Sequence, residues 1–279
     1  MNKNIELGVV NSLKINRVSE PGLYLIPDND EEEVLLPNCY ITSEMIIGND
    51  IEVFIYTDSE DRLVATTLKP YAYKNQFSAL EVVDVAAFGA FVDIGLPKDI
   101  LVPKNKQKTT FNVGDIKVLH IIEDEKTGRL IGTEKFSFEE ASKEFTLNDE
   151  VEILVYMKTP LGFKVIVNNE FDGLIYHNEI FEQINIGDKK RAYIKFVRED
   201  GKLDITLQKI GVKKSDDNPT KVLEILKEHN NTLPFTYKSD AEDIKRIFAM
   251  SKKAFKASLT KLINDKSIIL EEDAIKLNN

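Results

Sequence analysis

Internal repetition constrains this chain more than any other feature, because a unit that recurs in order and spacing must fold as a unit. Residues 71–140 contain FSALEVVDVAAFGAFVDIG, then DILVPKN, then FNVGDIKVLHIIEDEKTGRLIGTEK. Residues 141–212 repeat that order as LNDEVEILVYMKTPLGFKVIVN, FDGLIYHNEI and INIGDKKRAYIKFVREDGKLDITLQ. Residues 1–70 follow it more loosely, as LGVVNSLKINRVSEPGLYLIPD, EVLLPNCYI and IIGNDIEVFIYTDSEDRLVATTLK. Apolar and polar residues alternate through each stretch, the mark of half-buried strands. Each unit supplies about five short strands, the number that closes an OB-type barrel.

Glycines punctuate the units at matching places. Gly22, Gly89 and Gly162 fall inside the first hairpin, where positive φ or a sharp bend lets a sheet coil. Gly48, Gly114 and Gly187 mark the turn into the fourth strand, ahead of Asp50, Asp115 and Asp188. After the polar stretch IGVKKSDDNPT, read as a linker, the period changes from two to near 3.6. KVLEILKEHN predicts a short helix, LPFTYKS a strand, SDAEDIKRIFAM a capped second helix and SKKAFKASLTKLINDK a third, with Ser251 as its cap. SIILEE and AIKLNN predict a terminal hairpin. The expected architecture is mainly β: three tandem OB-fold five-stranded barrels (1–70, 71–140, 141–212) followed by a small α+β winged-helix domain (213–279).

The net charge of −10 runs against a generic nucleic-acid binder, but its distribution matters more than its sum. Residues 1–70 carry −8 of it, much in DNDEEE at 28–33, while 212–279 carry +2. A single cysteine, Cys39, permits no internal disulfide and is expected to be a buried structural thiol. His120, His177 and His229 lack the short spacing of a metal site, so neither metal nor cofactor is expected. No phosphate loop or nucleophile elbow occurs, which argues against an enzyme. The acidic runs Asp28–Glu33 and Glu271–Asp273 are contiguous, whereas catalytic carboxylates converge from separate elements. The N-terminal stretch lacks the apolar core of a secretory signal and no apolar run approaches a membrane span, so a cytoplasmic location away from membranes is the expectation.

AAFGAFVDIG, with VGD and GR downstream, closely resembles the RNA-binding domain named after ribosomal protein S-one. That resemblance implies a ligand face of two aromatics, a histidine and an arginine. Carried over, it points to Phe88, Phe91 and Arg129, with Pro103 in the histidine place, while alternation alone leaves open whether either phenylalanine packs inside the barrel instead. Aromatics suit single strands because every unstacked base offers a π-face. In the third unit the aromatic places hold Leu161 and Lys164, the histidine place aligns with Tyr176 beside His177, and Lys202 replaces the arginine. Lys189, Lys190 and Arg191 lie close in sequence, and the combination suits phosphate tracking. In the first unit Pro21, Tyr24, Pro37 and Arg62 take the four places, but its charge would repel phosphates. That unit is expected to pack on its neighbour, bind protein or shield the site.

In the third predicted helix Phe255, Leu259, Leu262 and Ile263 share one face, leaving Lys252, Lys253 and Lys256 for phosphate contact in a recognition-helix position. Three barrels ahead of FAMSKKAFKASLTKLINDKSI resemble the bacterial conserved virulence factor B family along nearly the whole chain. The resemblance implies a cytosolic RNA-binding regulator of gene expression without known catalytic residues. Single-stranded RNA is therefore the expected partner, on barrels two and three, and an adaptor that uses its barrels as protein scaffolds is the alternative.

Overall fold

The computed structural model describes residues 5–28, 32–141, 145–211 and 217–278. Part of the acidic run (29–31) and part of the expected linker (212–216) lie outside them. Three closed five-stranded barrels stand in tandem. The first uses β1 (Val10–Val18), β2 (Gly22–Ile26), β3 (Val34–Pro37), β4 (Asp50–Thr57) and β5 (Leu63–Thr66). The second uses β6 (Phe77–Ala86), β7 (Gly89–Val92), β8 (Ile100–Pro103), β9 (Ile116–Glu123) and β10 (Leu130–Thr133). The third uses β11 (Glu150–Lys158), β12 (Gly162–Val167), β13 (Phe171–Tyr176), β14 (Lys189–Val197) and β15 (Leu203–Thr206). In each, the fifth strand lies between the third and fourth, parallel to the third, and the first strand pairs with the fourth to close the ring.

One device recurs three times. The first strand carries a β-bulge just after Ile15, Val82 or Val155. The carbonyls of these residues accept from Gly48, Gly114 and Gly187 N–H, each at 2.8 Å. Their own N–H groups donate to the carbonyls of Asn49, Asp115 and Asp188 at 2.9–3.0 Å. The three glycines have φ of 93°, 86° and 95°, values that L side chains resist. The partner of Asp115 and Asp188 in the first barrel is thus Asn49, one residue before the Asp50 that sequence matching picks out.

Of the hairpin glycines only Gly22 has the positive φ expected, and a second demand is common to all three. Gly22, Gly89 and Gly162 open the second strand and pair with Pro37, Pro103 and Tyr176 at the end of the third. A Cβ there would sit 2.0, 2.6 and 1.9 Å from the carbonyl oxygens of Leu36, Val102 and Ile175. Close approach of two backbones requires glycine at all three, and at Gly22 a φ of 158° adds to it.

The barrels are packed end to end. Leu7, Phe54, Tyr56 and Val64 of the first share one apolar cluster with Leu80, Leu96 and Leu130 of the second. Phe77 and Val118 of the second meet Leu154 and Ile166 of the third around Phe136, Phe138 and Tyr156. Asn169 locks this junction, accepting from Phe77 N–H at 2.7 Å and donating to the Asn75 carbonyl at 3.0 Å.

The C-terminal domain comprises α1 (Asp217–Glu228), β16 (Thr232–Leu233), α2 (Ala241–Phe248), α3 (Lys252–Asn264), β17 (Ile268–Leu270) and β18 (Ile275–Leu277). Asp240 caps α2 and Ser251 caps α3, accepting from Glu242 and Ala254 N–H respectively. Helix α1 begins at Asp217, inside the expected linker, because Pro219 suits a first helical turn. Where a strand is expected over LPFTYKS, the observed one is Thr232–Leu233, which overlaps that segment only at Leu233. Pro234 has no N–H for the ladder, and Phe235 turns instead into the core against Phe248 and Phe255, ring centroids 5.0 and 6.1 Å away. Cys39 is also corrected: it is exposed, in the 3-10 turn that follows β3. No helix among the described residues is long and apolar enough to cross a membrane.

Candidate nucleic-acid interface

Strand register sets one outward row of side chains on each barrel. In the second, the row runs Asp84, Phe91, Leu101, Ile131, Ile122 across β6, β7, β8, β10 and β9. Ala90, Val92 and Val102 alternate with it and are fully buried inside. Phe88, in the turn before β7, is 62% exposed, and its ring stands edge-on to Phe91 with centroids 6.0 Å apart. Its carbonyl accepts from Lys104 N–H at 2.8 Å, pinning the turn against the end of β8. Phe88, Phe91, Leu101, Ile122 and Ile131 line a groove of about 840 Å³, whose far wall is Tyr56 and Thr57 of the first barrel. Lys98, Lys106, Lys126 and Arg129 edge it, with Asp99, Glu123, Asp124 and Glu125 interspersed.

The residues matched across repeats in the sequence occupy equivalent backbone sites. Pro21, Phe88 and Leu161 each accept from the N–H after the third strand, that of Asn38, Lys104 and His177. Arg62, Arg129 and Lys202 each accept through their carbonyls in the final hairpin, from Asp58, Asp124 and Arg198 N–H. Their side chains are engaged differently. Arg62 binds Asp58 at 2.7 Å and Glu60 at 2.9 Å, Lys202 binds Asp200 at 2.9 Å, and Arg129 pairs with Asp61 of the first barrel.

On the third barrel the row is Met157, Lys164, Leu174, Asp204, Phe196. Lys164 is drawn down to Asp172 at 3.2 Å, a carboxylate that also accepts from the Tyr156 hydroxyl at 2.9 Å. Burial, with the Asp172 charge beside it, pushes the Tyr156 hydroxyl well up, so it stays a donor. The Tyr176 hydroxyl accepts from Arg198 at 3.1 Å, and Arg198 also grips Asp204. His177 faces elsewhere: its Nε2 lies 3.0 Å from the Thr159 carbonyl, and its own carbonyl accepts from Lys245 of α2 at 2.9 Å, so it marks the junction with the C-terminal domain. Lys189, Lys190 and Arg191 edge a separate groove of about 600 Å³ between the second and third barrels. Phe196 (59% exposed), Leu161 (65%) and Met157 (42%) are apolar groups this barrel presents in or near its row.

Sequence reasoning missed Phe196, Arg198 and Lys98. Counting by twos from buried Ile194 puts Phe196 inside, but a bulge between them turns it out. Arg198 precedes the final hairpin where the other barrels have Asp58 and Asp124, and that departure in the repeat was the available signal. Lys98 sits in a loop with no periodicity.

The first barrel's row is Arg17, Tyr24, Leu35, Val64, Tyr56. The Arg17 guanidinium lies 3.8 Å over the Tyr24 ring and is held by Glu33 at 2.6 Å, while Tyr56 is buried against the second barrel. On α3, Phe255, Leu259 and Leu262 are buried, Lys253 and Lys256 are exposed, and Lys252 is half-buried with Nζ 3.4 Å from the Lys238 carbonyl. The β17–β18 turn carries Glu271, Glu272 and Asp273. Among the described residues no group of three His, Cys, Asp or Glu is placed to hold a metal ion.

Tandem five-stranded barrels ahead of a winged helix define a multidomain protein assembled from two nucleic-acid-binding fold types. Residues 7–68 match the family described as S1 domain, and 220–277 match the CvfB-like winged helix domain. Over most of its length the chain is similar to the conserved virulence factor B proteins. That of Staphylococcus saprophyticus is 26% identical, with 98% of this chain and 95% of the relative covered. Bacillus subtilis YitL is 28% identical over 93% of this chain and 90% of its own. A solved multidomain protein with nucleic acid binding domains from Streptococcus pneumoniae is 24% identical, covers 97% of this chain and 98% of its own, and has a TM-score of 0.46. The S1 match falls on the barrel that the repeat comparison rates as most divergent.

Proposed function

We propose that this protein binds single-stranded RNA on its second and third barrels, with added contacts from the winged helix, and that it acts in the control of gene expression. The observation that carries the reading is the groove of the second barrel. Two phenylalanines stand outward beside a floor of Leu101, Ile122 and Ile131, with Lys98, Lys126 and Arg129 at its edge. An exposed ring offers a stacking plane to any unpaired base, and cations at the edge meet its phosphate. On the third barrel Phe196 and Leu161 supply the apolar surface. There Lys164, Tyr176 and Lys202 are held by protein partners, so they contribute shape and local potential more than free charge.

Replacing Phe88 and Phe91 together by Ala is expected to weaken binding of a single-stranded oligonucleotide by about 2–4 kcal/mol, on the order of 30- to 1,000-fold. Fluorescence anisotropy at fixed salt measures it, with circular dichroism to verify folding. Unchanged affinity in a folded double variant rejects the site. A role as a protein adaptor draws support from the acidic first barrel, and is favoured if the intact chain ignores RNA at low salt.

A further inference from the structure

The hairpin between β4 and β5 of the first barrel reaches past its own sheet. At its tip Asp61, with φ 62°, meets two cations of the second barrel. One carboxylate oxygen accepts from Lys98 Nζ at 3.1 Å and the other from Arg129 Nη2. Lys98 is held further by the Thr57 hydroxyl at 3.2 Å and by the Asp58 carbonyl. Both cations line the aromatic groove. Contact with Lys98, reinforced by Arg129, keeps the Asp61 carboxyl below the usual range, so it is charged at neutral pH.

A carboxylate and a phosphate compete for the same guanidinium, since each offers paired oxygens to its fork. We propose that Asp61 is an internal counter-ion occupying the phosphate-binding cations of the second barrel, through which the first barrel sets the groove's affinity for single-stranded nucleic acid. This rests on the reading of the groove given above. Asp61 and Arg129 have side chains 37% and 52% exposed, so the pair is weak enough for an incoming phosphate to displace. A strand that takes Arg129 must release the carboxylate, which removes part of the counterion gain that drives such binding. The hairpin itself is anchored by Phe54, Tyr56 and Val64 in the shared apolar cluster, so its position does not depend on Asp61.

The test uses the intact chain and a labelled oligo(U) of about 12 nucleotides, followed by anisotropy between about 50 and 200 mM salt. Asp61→Asn removes the charge and keeps the size. It is expected to bind about threefold to tenfold tighter, with a salt slope steeper by about 0.7 for each phosphate newly held. Glu60→Gln makes the same charge change one residue away, where the carboxylate serves Arg62, and is expected to leave affinity unchanged. In a chain carrying Arg129→Ala and Lys98→Ala, Asp61→Asn is expected to add nothing. Equal gains from Asp61→Asn and Glu60→Gln, or a gain that survives loss of both cations, overturn the proposal by reducing it to net charge. No change with Asp61→Asn, while Phe88→Ala/Phe91→Ala still weakens binding, overturns the counter-ion and leaves the groove assigned. Failure of wild type and Asp61→Asn alike to bind overturns both.

Discussion

Phe91 takes its orientation from strand alternation, and Phe196 does not. Phe91 lies between Ala90 and Val92, which are fully buried, so simple alternation points it outward. Phe196 is turned out by a bulge whose position depends on pairing with β15. His120 is a second residue whose behaviour comes from its surroundings. It stacks on Phe77 at 4.5 Å beside the junction with the third barrel, and burial depresses its pKa against the opposing effect of a hydrogen bond with Asn75. The folded protein therefore takes up its proton only at lower pH than the unfolded chain, which protonates near pH 6.5. Because the unfolded state then binds more protons, His120 leaves stability intact above about pH 6.5 and lowers it as pH falls through that value toward the depressed folded pKa. Thermal melts at pH 7.5 and 5.5 are expected to show a drop that shrinks in His120→Phe. An equal drop in the variant contradicts the assignment. The carboxylates of Asp115 and Asp149, held low first by the backbone N–H of Asn112 and Thr146, matter only in more acid solution.

At the scale of elements, each barrel is shaped by two glycines with unlike duties. Gly162 has no room: an added Cβ falls 1.9 Å from the Ile175 carbonyl oxygen. Gly114 has open space around its missing Cβ but φ of 86°. Gly162→Ala must part β12 from β13 and is expected to cost about 1–3 kcal/mol or more, whereas Gly114→Ala costs about 1–2 kcal/mol of backbone strain. Urea midpoints of the two variants measure the difference, and a smaller loss at Gly162 would show that the strands yield easily. The repeat displays both glycines plainly as letters at fixed spacing. It does not display which physical demand each one meets, because that depends on the distance to a strand distant in sequence. The same holds for the segment LPFTYKS, whose β-favouring letters lose to a proline that cannot pair and a phenylalanine that fits the helical core.

Across the whole molecule, the barrels and the winged helix make a continuous series of contacts, with Asn169 bridging the second junction and Lys245 meeting the third. If α3 also touches the bound strand, Lys253→Glu with Lys256→Glu will weaken oligonucleotide binding across sequences and reduce the salt slope by about 0.7 for each lysine removed from a phosphate. An unchanged slope confines binding to the barrels. The architecture was written in the amino-acid order itself: repeat spacing, alternation of period two and the change to a helical period specify three barrels and a winged helix, because these patterns are properties of neighbouring residues. Which side chains stand free was not. Asp61 meeting Arg129, Lys164 drawn to Asp172 and the His177 ring held at the Thr159 carbonyl join residues from different strands, turns or domains. Such contacts exist only once the chain has brought distant residues within a few ångströms, and the strength of an ionic one depends on that distance and on the water left around it.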